Sequence, residues 1–531
     1  MQPSALAKRV YLLVFVIIIA LYLFGLGHLP LLGPDEPRYA QVAREMLMRG
    51  DLITPTLGGH TWFEKPALLY WMIIAAAKVF GMNEWSARLG PALCGLLTVA
   101  AVWYVGREID RNANGAGFGP WSALLTASCL GLIVFSRAAS FDVVITMTTT
   151  WALAFFLSHE LTSDRRRRMW LLIGFYVFVG LSLLAKGLVG IVIPFGVVAL
   201  YYLLRRRRPQ RHVWLSLGWG VLLALAVAAT WYGPVIAKHG WLFIDEFFVQ
   251  HHFARFVSNK YKHPQPLYFF PAIILMLTLP WSGFLIDAVA RVRSWNWRGD
   301  DSQSIVRVFS LAWLLLPIVF FSFSGSKLPG YVLPALPAAV LLIAVRVPAP
   351  LTWPLRVTGV ICFVLGVGGI VYAARTSEIS MTCAILAALP MFVAGVAAFV
   401  SRGDVAVPVV SGGVFILVVV LLMCAAPPIV HRESVRDLLT LADARGYANV
   451  PVLAQRADDR SAQFYAHDRV LYNPEGEVVP YDEVTVAQAK ALSSKWLVLV
   501  PLDYVDEVRN DPGIEVLGDN GRTAILGWTP R

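Results

Sequence analysis

The sequence predicts an all-α polytopic membrane protein with a small α/β domain at its C-terminal end. The mean hydropathy is +0.63, and only 15% of the 531 residues are charged, a composition typical of membrane proteins. A membrane-spanning helix needs about 20 apolar residues, and about thirteen runs of roughly that size are present. From Pro427 onward charged residues return and the apolar runs shorten, which predicts the C-terminal domain.

The predicted spans follow one another through residues 1–426, a single transmembrane domain. Their ranges are 10–26, 86–106, 118–137, 143–160, 169–185, 187–204, 213–233, 267–290, 306–323, 330–346, 355–373, 380–400 and 407–426. The first span is flanked by Lys8 and Arg9 and lacks a small-x-small cleavage site after it, so we expect a retained anchor.

The basic residues predict the orientation of the chain. They fall in clusters, namely Lys8/Arg9, Arg107/Arg111, 165–168, 205–208 with Arg211, Arg291/Arg293/Arg298/Arg307, Arg346/Arg356 and Arg402. All of these clusters lie on the cytoplasmic side if the N-terminus is cytoplasmic, as the positive-inside rule requires. The net charge of +11 therefore indicates topology and contact with anionic lipids, and we expect no nucleic-acid partner.

This orientation predicts three long segments on the outer side of the membrane, 27–85, 234–266 and 427–531. Within the first, an amphipathic pattern predicts a helix over 36–49 that ends at Gly50. The run from Pro66 to Phe80 is apolar but too short to span, so we expect an interfacial helix. The third is predicted to be a separate α/β domain, with helices over 433–446 and 484–493, strands over 450–454, 469–472 and 496–501, and a hairpin around Asn520-Gly521.

All five cysteines fall inside the predicted spans, and their spacing does not resemble a metal site. We expect them to be packing residues, without a disulfide framework.

Ionisable side chains from several outer loops are predicted to meet at one membrane level. They are Asp35, Glu36 and Arg38 after the first span, Glu64 and Lys65, Arg137 and Asp142, Lys186, and Lys327 with Tyr331. Charged groups at such depth are costly and are usually functional. Simpler roles stay open: Asp35 and Asp142 are placed to cap helices, Arg137 to snorkel, and Lys186 only to end a helix.

A second polar group follows the seventh span. It comprises Trp231, Tyr232, His239, His251, His252, Arg255, Lys260, Lys262 and His263. His251 and His252, together with Glu64, are candidate ligands for a divalent metal such as zinc. The alternative is a cationic rim for phosphate that includes Arg255. No other cofactor is expected.

The outer side of the membrane has no nucleotide supply, so an enzyme there needs a donor carried in the lipid. Cations can hold a phosphate leaving group, while a carboxylate orients or deprotonates the acceptor. The sequence lacks a P-loop, a dinucleotide fingerprint, a G-x-S-x-G elbow and an H-E-x-x-H motif. An ATP-driven pump and a zincin protease are therefore not expected.

Four motifs carry a family resemblance. They are G-P-D-E-P-R-Y-A at 33–40, G-D-L-I-T-P-T-L-G-G at 50–59, W-F-E-K-P-A-L-L-Y-W at 62–71 and S-K-L-P-G-Y-V-L-P-A-L-P-A at 326–338. In these the chain resembles the lipid A aminoarabinose transferases, which belong to the GT-C superfamily of membrane glycosyltransferases together with the protein O-mannosyltransferases. The resemblance covers about residues 1–425.

The resemblance implies a polyprenyl-phosphate-dependent pentosyltransferase of the Gram-negative inner membrane. Such an enzyme moves 4-amino-4-deoxy-L-arabinose from undecaprenyl phosphate to lipid A phosphates on the periplasmic face, which confers polymyxin resistance. It implies Asp35 as the catalytic carboxylate, with Glu64 and Asp142 as supporting polar groups. Glu36 and Asp142 are further candidates for a catalytic role. The implied phosphate ligands are Lys65, Arg137, Lys186 and Lys327. From their positions in the outer loops we also expect Arg38, Arg255 and Tyr331 to bind phosphate. We expect a monomer with membrane lipids as its other partners.

Two alternatives stay open. The first is an enzyme of the same class that transfers another lipid-linked sugar to a protein or glycan. The second is a lipid or ion transporter, which would form no covalent product and would line both sides of a path with charge.

Overall fold

In this computed structural model, helices that bundle side by side carry a small sheet domain at the C-terminal end of the chain. The structure describes residues 5–112, 117–254, 265–345, 352–376, 378–454, 460–472, 478, 495–510 and 512–529. The predicted helix over 484–493 and residues Arg255, Lys260, Lys262 and His263 lie outside this part of the chain, as do the side chains of His251 and His252.

The membrane part contains the following helices. They are α1 (Ala5–Leu23), α2 (Asp35–Arg49), α3 (Leu68–Phe80), α4 (Glu84–Asn112), α5 (Phe118–Ala127), α6 (Leu130–Ser136), α7 (Phe141–Leu161), α8 (Arg165–Lys186), α9 (Val189–Arg205), α10 (Arg211–His239), α11 (Trp241–Ile244), α12 (Phe269–Leu277), α13 (Ser282–Ala290), α14 (Ser302–Ser322), α15 (Leu336–Ala344), α16 (Thr352–Arg375), α17 (Met381–Val400) and α18 (Gly403–Val420). A π-helix (Asp245–Ala254) extends α11, and a 3-10 helix (Pro329–Ala335) precedes α15.

Among the described residues, eight helices are long and apolar enough to cross a membrane, or nine if the bent pair α5 and α6 is one span. The predicted count of thirteen is not confirmed, because several predicted spans are short or broken. The span predicted over 267–290 is interrupted between α12 and α13, where Pro280 has no N–H to donate. The span predicted over 330–346 begins as a 3-10 helix that contains Pro329 and Pro334.

The loop between α1 and α4 is ordered by the two helices that the sequence predicts. Helix α2 runs from Asp35 to Arg49, and Gly50 ends it with a left-handed φ of 65°, a conformation that glycine adopts without strain. Its buried residues include Tyr39, Val42, Ala43 and Met46, the amphipathic face read from the sequence. A short hairpin of β1 (Thr56–Leu57) and β2 (His60–Thr61) follows.

In its described residues, the C-terminal domain forms a four-stranded sheet with short helices. Its elements are α19 (Ala426–Arg432), α20 (Arg436–Ala442), β3 (Val452–Ala454), α21 (Arg460–Tyr465), β4 (Trp496–Pro501), α22 (Val505–Arg509), β5 (Ile514–Asp519) and β6 (Thr523–Trp528). The strand order is β3-β4-β6-β5. Strands β3 and β4 are parallel and the other pairs antiparallel, which confirms the predicted strand at 496–501 and the hairpin at Asn520-Gly521.

The C-terminal domain packs against the start of the membrane part. The Leu31 N–H donates to the Tyr465 hydroxyl at 2.7 Å, and that hydroxyl donates to Glu84 at 3.0 Å. Arg44 of α2 donates to the Phe464 carbonyl at 2.7 Å and lies 4.0 Å from the centre of the Phe464 ring. Helix α2 is therefore held between the bundle and the C-terminal domain.

The expectation that no cysteine forms a disulfide is wrong for two of the five cysteines. The structure pairs Cys383 with Cys424 in a disulfide, with 5.8 Å between their Cα atoms. Cys94, Cys129 and Cys362 are free and buried, as expected for packing residues. The pair is 41 residues apart in sequence and is brought together only by the packing of α17 against the chain that follows α18.

Candidate functional site

Asp35 stands at the start of α2, in a cluster of alternating charges. Arg38 donates to Asp35 Oδ1 at 2.5 Å and lies 3.6 Å from Glu64 Oε2. Lys65 Nζ donates to Glu64 Oε1 at 2.9 Å. The Asp35 side chain is 53% exposed, whereas Arg38, Glu64 and Lys65 are at most 15% exposed. Asp35 is thus the member of the cluster most open to a ligand.

The Asp35 side chain does not cap α2. The residue before the helix is Pro34, and no side chain makes a capping hydrogen bond there. Asp35 lies in the first helical turn, where its negative charge interacts favourably with the positive end of the helix dipole. Its hydrogen bond goes to Arg38 of the next turn, so the capping role predicted for Asp35 is wrong.

Arg38 is enclosed by aromatic rings. Its guanidinium carbon lies 5.3 Å from the ring centres of both Tyr39 and Trp62, within range of a cation–π interaction. Among the described residues, Arg38 Nε, Trp62 Nε1 and the Tyr70 hydroxyl are buried and have no hydrogen-bond partner. Buried donors are rarely left unpaired in proteins, so these three groups remain able to donate hydrogen bonds next to the charged cluster.

The surroundings favour a charged Arg38 and neutral tyrosines. Burial acts to lower the pKa of Arg38, but the charge of Glu64, ahead of that of Asp35, raises it above the usual value. Burial raises the pKa of both Tyr39 and Tyr70 well above 10, and the nearby carboxylates add to the shift. At neutral pH the site therefore offers a permanent cation beside two phenol hydroxyls.

A second ion pair is formed by Asp142 and Lys186. Lys186 Nζ donates to Asp142 and lies 4.7 Å from the centre of the Tyr331 ring. Ser140 caps α7 by accepting from the Asp142 N–H, so the capping role left open for Asp142 is taken by Ser140. A Cβ atom at Gly330 would come within 2.0 Å of Asp142 Oδ2, so the 3-10 helix approaches Asp142 only because this residue is glycine.

Phe141 joins the two charged groups. Its ring centre lies 4.9 Å from that of Tyr39 and 5.4 Å from that of Tyr70, both with edge-to-face geometry. Phe141 directly precedes Asp142, while Tyr39 directly follows Arg38. The aromatic contacts therefore pack the helices that carry Arg38 and Tyr70 against the start of α7, which carries Asp142.

Glu36 has a different environment from Asp35. It is 7% exposed and accepts from Arg88 at 2.9 and 2.7 Å, from the Leu32 N–H at 2.9 Å and from the Ala139 N–H at 2.7 Å. These bonds occupy both of its oxygens. Glu36 therefore fixes the start of α2 in this structure, and its catalytic role stays a prediction.

Arg137 also serves the frame of the site. Its guanidinium donates to the carbonyls of Leu21, at 2.9 Å, and of Phe24. These carbonyls lie at the C-terminal end of α1, where a helix leaves carbonyls without intrahelical partners. Arg137 therefore caps α1 in this structure, and its role in phosphate binding stays a prediction.

The remaining predicted residues are placed as follows. Lys327 Nζ donates to the Gln265 carbonyl at 2.5 Å, so it joins two loops and is not among the cations described above. His239 is hydrogen-bonded to Thr54 at 2.8 Å, and Trp231 donates to the Ile53 carbonyl at 2.9 Å. Trp231 and Tyr232 pack in an aromatic cluster with Phe243 and Phe247, beside the predicted site.

No group of three or more histidine, cysteine, aspartate or glutamate side chains suited to a metal ion is found within the part of the chain that the structure describes. Glu64 faces Lys65 and Arg38 there. Zinc binding by Glu64, His251 and His252 stays a prediction, since the two histidine side chains lie outside the described residues.

Three site residues were missed by the sequence reading. Arg88 lies within an apolar span and gives no local sign that it bonds Glu36 across 52 residues. Trp62 and Gly330 lie within two of the quoted motifs, W-F-E-K-P and S-K-L-P-G-Y, but charge alone was used to select residues there. A glycine or tryptophan inside a charged motif is the signal that would have found them.

Substitution of Lys186, which pairs with Asp142, tests its predicted role in phosphate binding. We expect Lys186→Met to raise the KM for a lipid-phosphate donor at least about tenfold, because one cation at a phosphate is lost, and Lys186→Arg to retain part of the affinity. Lys238→Met is the matched control, since it removes another Lys–Asp pair, with Asp51 at 2.6 Å. Steady-state kinetics that are the same for Lys186→Met and Lys238→Met would contradict a role in phosphate binding.

Comparison with known proteins relates the chain to membrane glycosyltransferases. A family model described as dolichyl-phosphate-mannose-protein mannosyltransferase matches residues 8–244. The undecaprenyl phosphate-alpha-4-amino-4-deoxy-L-arabinose arabinosyl transferase of Pseudomonas aeruginosa strain UCBPP-PA14 is 36% identical over 330 residues, which are 60% of this chain and 56% of that protein. The protein of that name from Erwinia tasmaniensis is 30% identical over 339 residues, 62% and 58% of the two chains. The match thus spans a little over half the length of these relatives.

Similar solved structures cover almost the whole chain. ArnT from Cupriavidus metallidurans bound to undecaprenyl phosphate has a TM-score of 0.80 at 23% identity, over 98% of this chain and 99% of that one. Its apo state has a TM-score of 0.81 at 21% identity, over 99% and 100%. The Archaeoglobus fulgidus oligosaccharyltransferase has a TM-score of 0.50 over 94% and 71%. These likenesses confirm the predicted GT-C fold, and the sequence matches confirm the resemblance found in the motifs.

Proposed function

We propose that this chain, which has the fold of ArnT and a sequence resemblance to aminoarabinose transferases, moves 4-amino-4-deoxy-L-arabinose from undecaprenyl phosphate to phosphate groups of lipid A. The observation that carries the proposal is the Asp35–Arg38–Glu64–Lys65 cluster, which adjoins the Asp142–Lys186 pair. Three cations and three carboxylates alternate there, beside unpaired buried donors.

The cations suit a phosphate leaving group. In the transfer, the bond between the sugar C1 atom and the carrier phosphate oxygen breaks, and the electron pair stays on that phosphate. Arg38, Lys65 and Lys186 each face a carboxylate in the described structure. A phosphate arriving among them would replace these partners and accept charge-assisted hydrogen bonds, which strengthen as negative charge develops on the leaving oxygen.

The acceptor is proposed to be a phosphate as well. A phosphate oxygen of lipid A would form the new bond to C1, and it is already anionic near neutral pH, so a general base is not required. Asp35 is then assigned to bind the ammonium group of the sugar or to position the acceptor, for which its partial exposure is suited. A carboxylate is the natural partner for an amino sugar.

We propose a cytoplasmic N-terminus and a periplasmic C-terminus in the inner membrane. Ion pairs between loops support the placing of the predicted cytoplasmic loops on one side of the membrane. Arg167 bonds Glu108 of another such loop at 2.6 Å, and Arg205 of a third loop bonds Asp300 of a fourth at 3.1 Å. The disulfide supports an outer location for the opposite end, because disulfides persist in the oxidising periplasm. Its cysteines lie near the ends of α17 and of the helix that continues α18, which this orientation places outside.

Expression in a Gram-negative strain that lacks its own aminoarabinose transferase but makes the lipid-linked donor tests this function. We expect mass spectrometry of lipid A to show added aminoarabinose and the cells to become less susceptible to polymyxin. Unmodified lipid A, with the protein present in the inner membrane, would contradict the proposal. Sugar found instead on a protein or glycan would favour the alternative acceptor class, and no covalent product at all would favour a transporter.

A further inference from the structure

A cleft of about 450 Å³ lies between α2, the β1–β2 hairpin and the C-terminal domain. Its walls include Gln41, Glu45 and Arg49 of α2, Gly58 of the hairpin, and Gln463 and Asp468 of the C-terminal domain. The volume falls in the range of small-molecule sites. Neither the charged cluster at Asp35 nor the pair at Lys186 contributes to it, so the cleft is a second feature of the outer side.

The membrane side of the cleft is held in place by Glu45. Its carboxylate accepts from the Thr56 hydroxyl at 2.6 Å, and from the N–H groups of Gly58 at 2.7 Å and Gly59 at 3.1 Å. A Cβ atom at Gly58 would lie 2.5 Å from the Tyr472 ring, so the hairpin contacts the ring face of Tyr472 directly. The cleft is therefore built from fixed elements and includes an aromatic wall.

The opposite side of the cleft belongs to the C-terminal domain, and its lining residues include Gln463 and Asp468. Gln463 is 3% exposed, and its Oε1 atom has no hydrogen-bond partner among the described residues. Asp468, beside it, accepts from Gln41 at 2.6 Å through Oδ1. A buried amide oxygen without a partner costs free energy unless a ligand or water donates to it. The amide of Gln463 and the carboxylate of Asp468 thus favour a ligand with several hydrogen-bond donors.

Charge restricts the class of that ligand. The charged side chains that line the cleft are Glu45, Asp468 and Arg49, so its lining holds two carboxylates and one guanidinium. Carboxylates accept hydrogen bonds from the hydroxyl and amino groups of a ligand. Apolar walls at Val470 and Leu471 and the aromatic Tyr472 suit the carbon face of a sugar ring.

We infer that this cleft binds a saccharide, preferably an amino sugar, through hydroxyl or amino donors to Gln463 and Asp468. The site is separate from the proposed transfer site, but both are built on the same helix. Arg38 and Glu45 are seven residues apart and lie on one face of α2, about 10 Å from each other along its axis. A glycolipid with its phosphate at Arg38 could therefore extend a sugar into the cleft.

The test measures the binding of glucosamine and of a glucosamine disaccharide to the full chain in detergent micelles, by saturation-transfer NMR and titration calorimetry. We expect weak but specific binding to the wild type. Gln463→Leu and Asp468→Asn should each raise the Kd about fivefold or more, the effect of one lost hydrogen bond. Asp506→Asn, on an exposed helix of the same domain, is the matched control and should leave the Kd unchanged.

Displacement distinguishes two sources of the sugar. Lipid A in nanodiscs displaces the disaccharide if the occupant is the acceptor headgroup, and the lipid-linked sugar donor displaces it if the occupant is the donor sugar. Absence of saccharide binding to the wild type would overturn the inference, as would equal Kd values for the wild type and both cleft variants. The Asp35→Asn variant should keep the part of the saccharide binding that Gln463→Leu and Asp468→Asn lose, so failure of the proposed transfer and failure of this inference are separable.

Discussion

Asp35→Asn is expected to lower the rate of sugar transfer about 100-fold or more while the protein remains folded. The substitution keeps the shape of the side chain but removes the charge that would bind an ammonium group or position the acceptor, and effects of this size are typical for such groups. Stability should change little, because the side chain is 53% exposed and exposed ion pairs contribute about 0–1 kcal/mol. Transfer kinetics of purified variants, with thermal unfolding alongside, measure both effects.

Asp437→Asn provides the matched control for this experiment. Asp437 is 54% exposed and, like Asp35, lies in the first turn of a helix next to an arginine, Arg436 at 3.2 Å. It belongs to the C-terminal domain, away from the proposed site, so we expect transfer to be retained. Retained transfer in Asp35→Asn, or an equal loss in both variants, would remove Asp35 from the catalytic residues.

Arg88→Met is expected to destabilise the fold by about 3–5 kcal/mol, the range for a buried ion pair that loses one partner. Arg88 is 5% exposed and bonds both oxygens of Glu36. It also donates to the carbonyls of Leu26, Leu29 and Pro30 at 2.7–2.8 Å. The substitution leaves a buried carboxylate and three carbonyls without this donor, and thermal unfolding in detergent measures the loss.

The control for this prediction is Arg522→Met, which removes an exposed pair with Glu433 and should change stability by less than about 1 kcal/mol. Adding Glu36→Gln to Arg88→Met should recover part of the loss, because no uncompensated charge then stays buried. Equal unfolding temperatures for Arg88→Met and Arg522→Met would show that the Glu36–Arg88 pair does not hold the loop before α2.

Local patterns were sufficient for the elements that the sequence predicts well. Helix α2 was predicted almost to its bounds because an amphipathic period leads to a glycine that can end it. The strand at 496–501 and the hairpin at Asn520-Gly521 followed from apolar runs and turn residues in the same way. Spans interrupted by proline, such as 267–290, were read as continuous because hydropathy does not register a break in helical hydrogen bonds.

The site was only partly predictable, for a physical reason. Unlike charges on the predicted outer loops indicated Asp35, Lys65, Asp142 and Lys186. In the structure Asp142 pairs with Lys186, while Asp35 and Lys65 belong to one cluster with Arg38 and Glu64. Which charge is buried depends on partners far along the chain. Glu36 forms a buried ion pair with Arg88, and Cys383 forms a disulfide with Cys424. Neither contact can be predicted from a local sequence pattern.

Transfer in a defined membrane tests the central claim most directly. Purified protein would be reconstituted in vesicles with undecaprenyl-phosphate-linked aminoarabinose and lipid A, and both lipids would be followed by mass spectrometry. The account predicts that aminoarabinose appears on lipid A phosphate with release of equal undecaprenyl phosphate, and that Asp35→Asn, but not Asp437→Asn, prevents it. Undecaprenyl phosphate released without modified lipid A, or no consumption of the donor by the folded wild-type protein, would contradict the account.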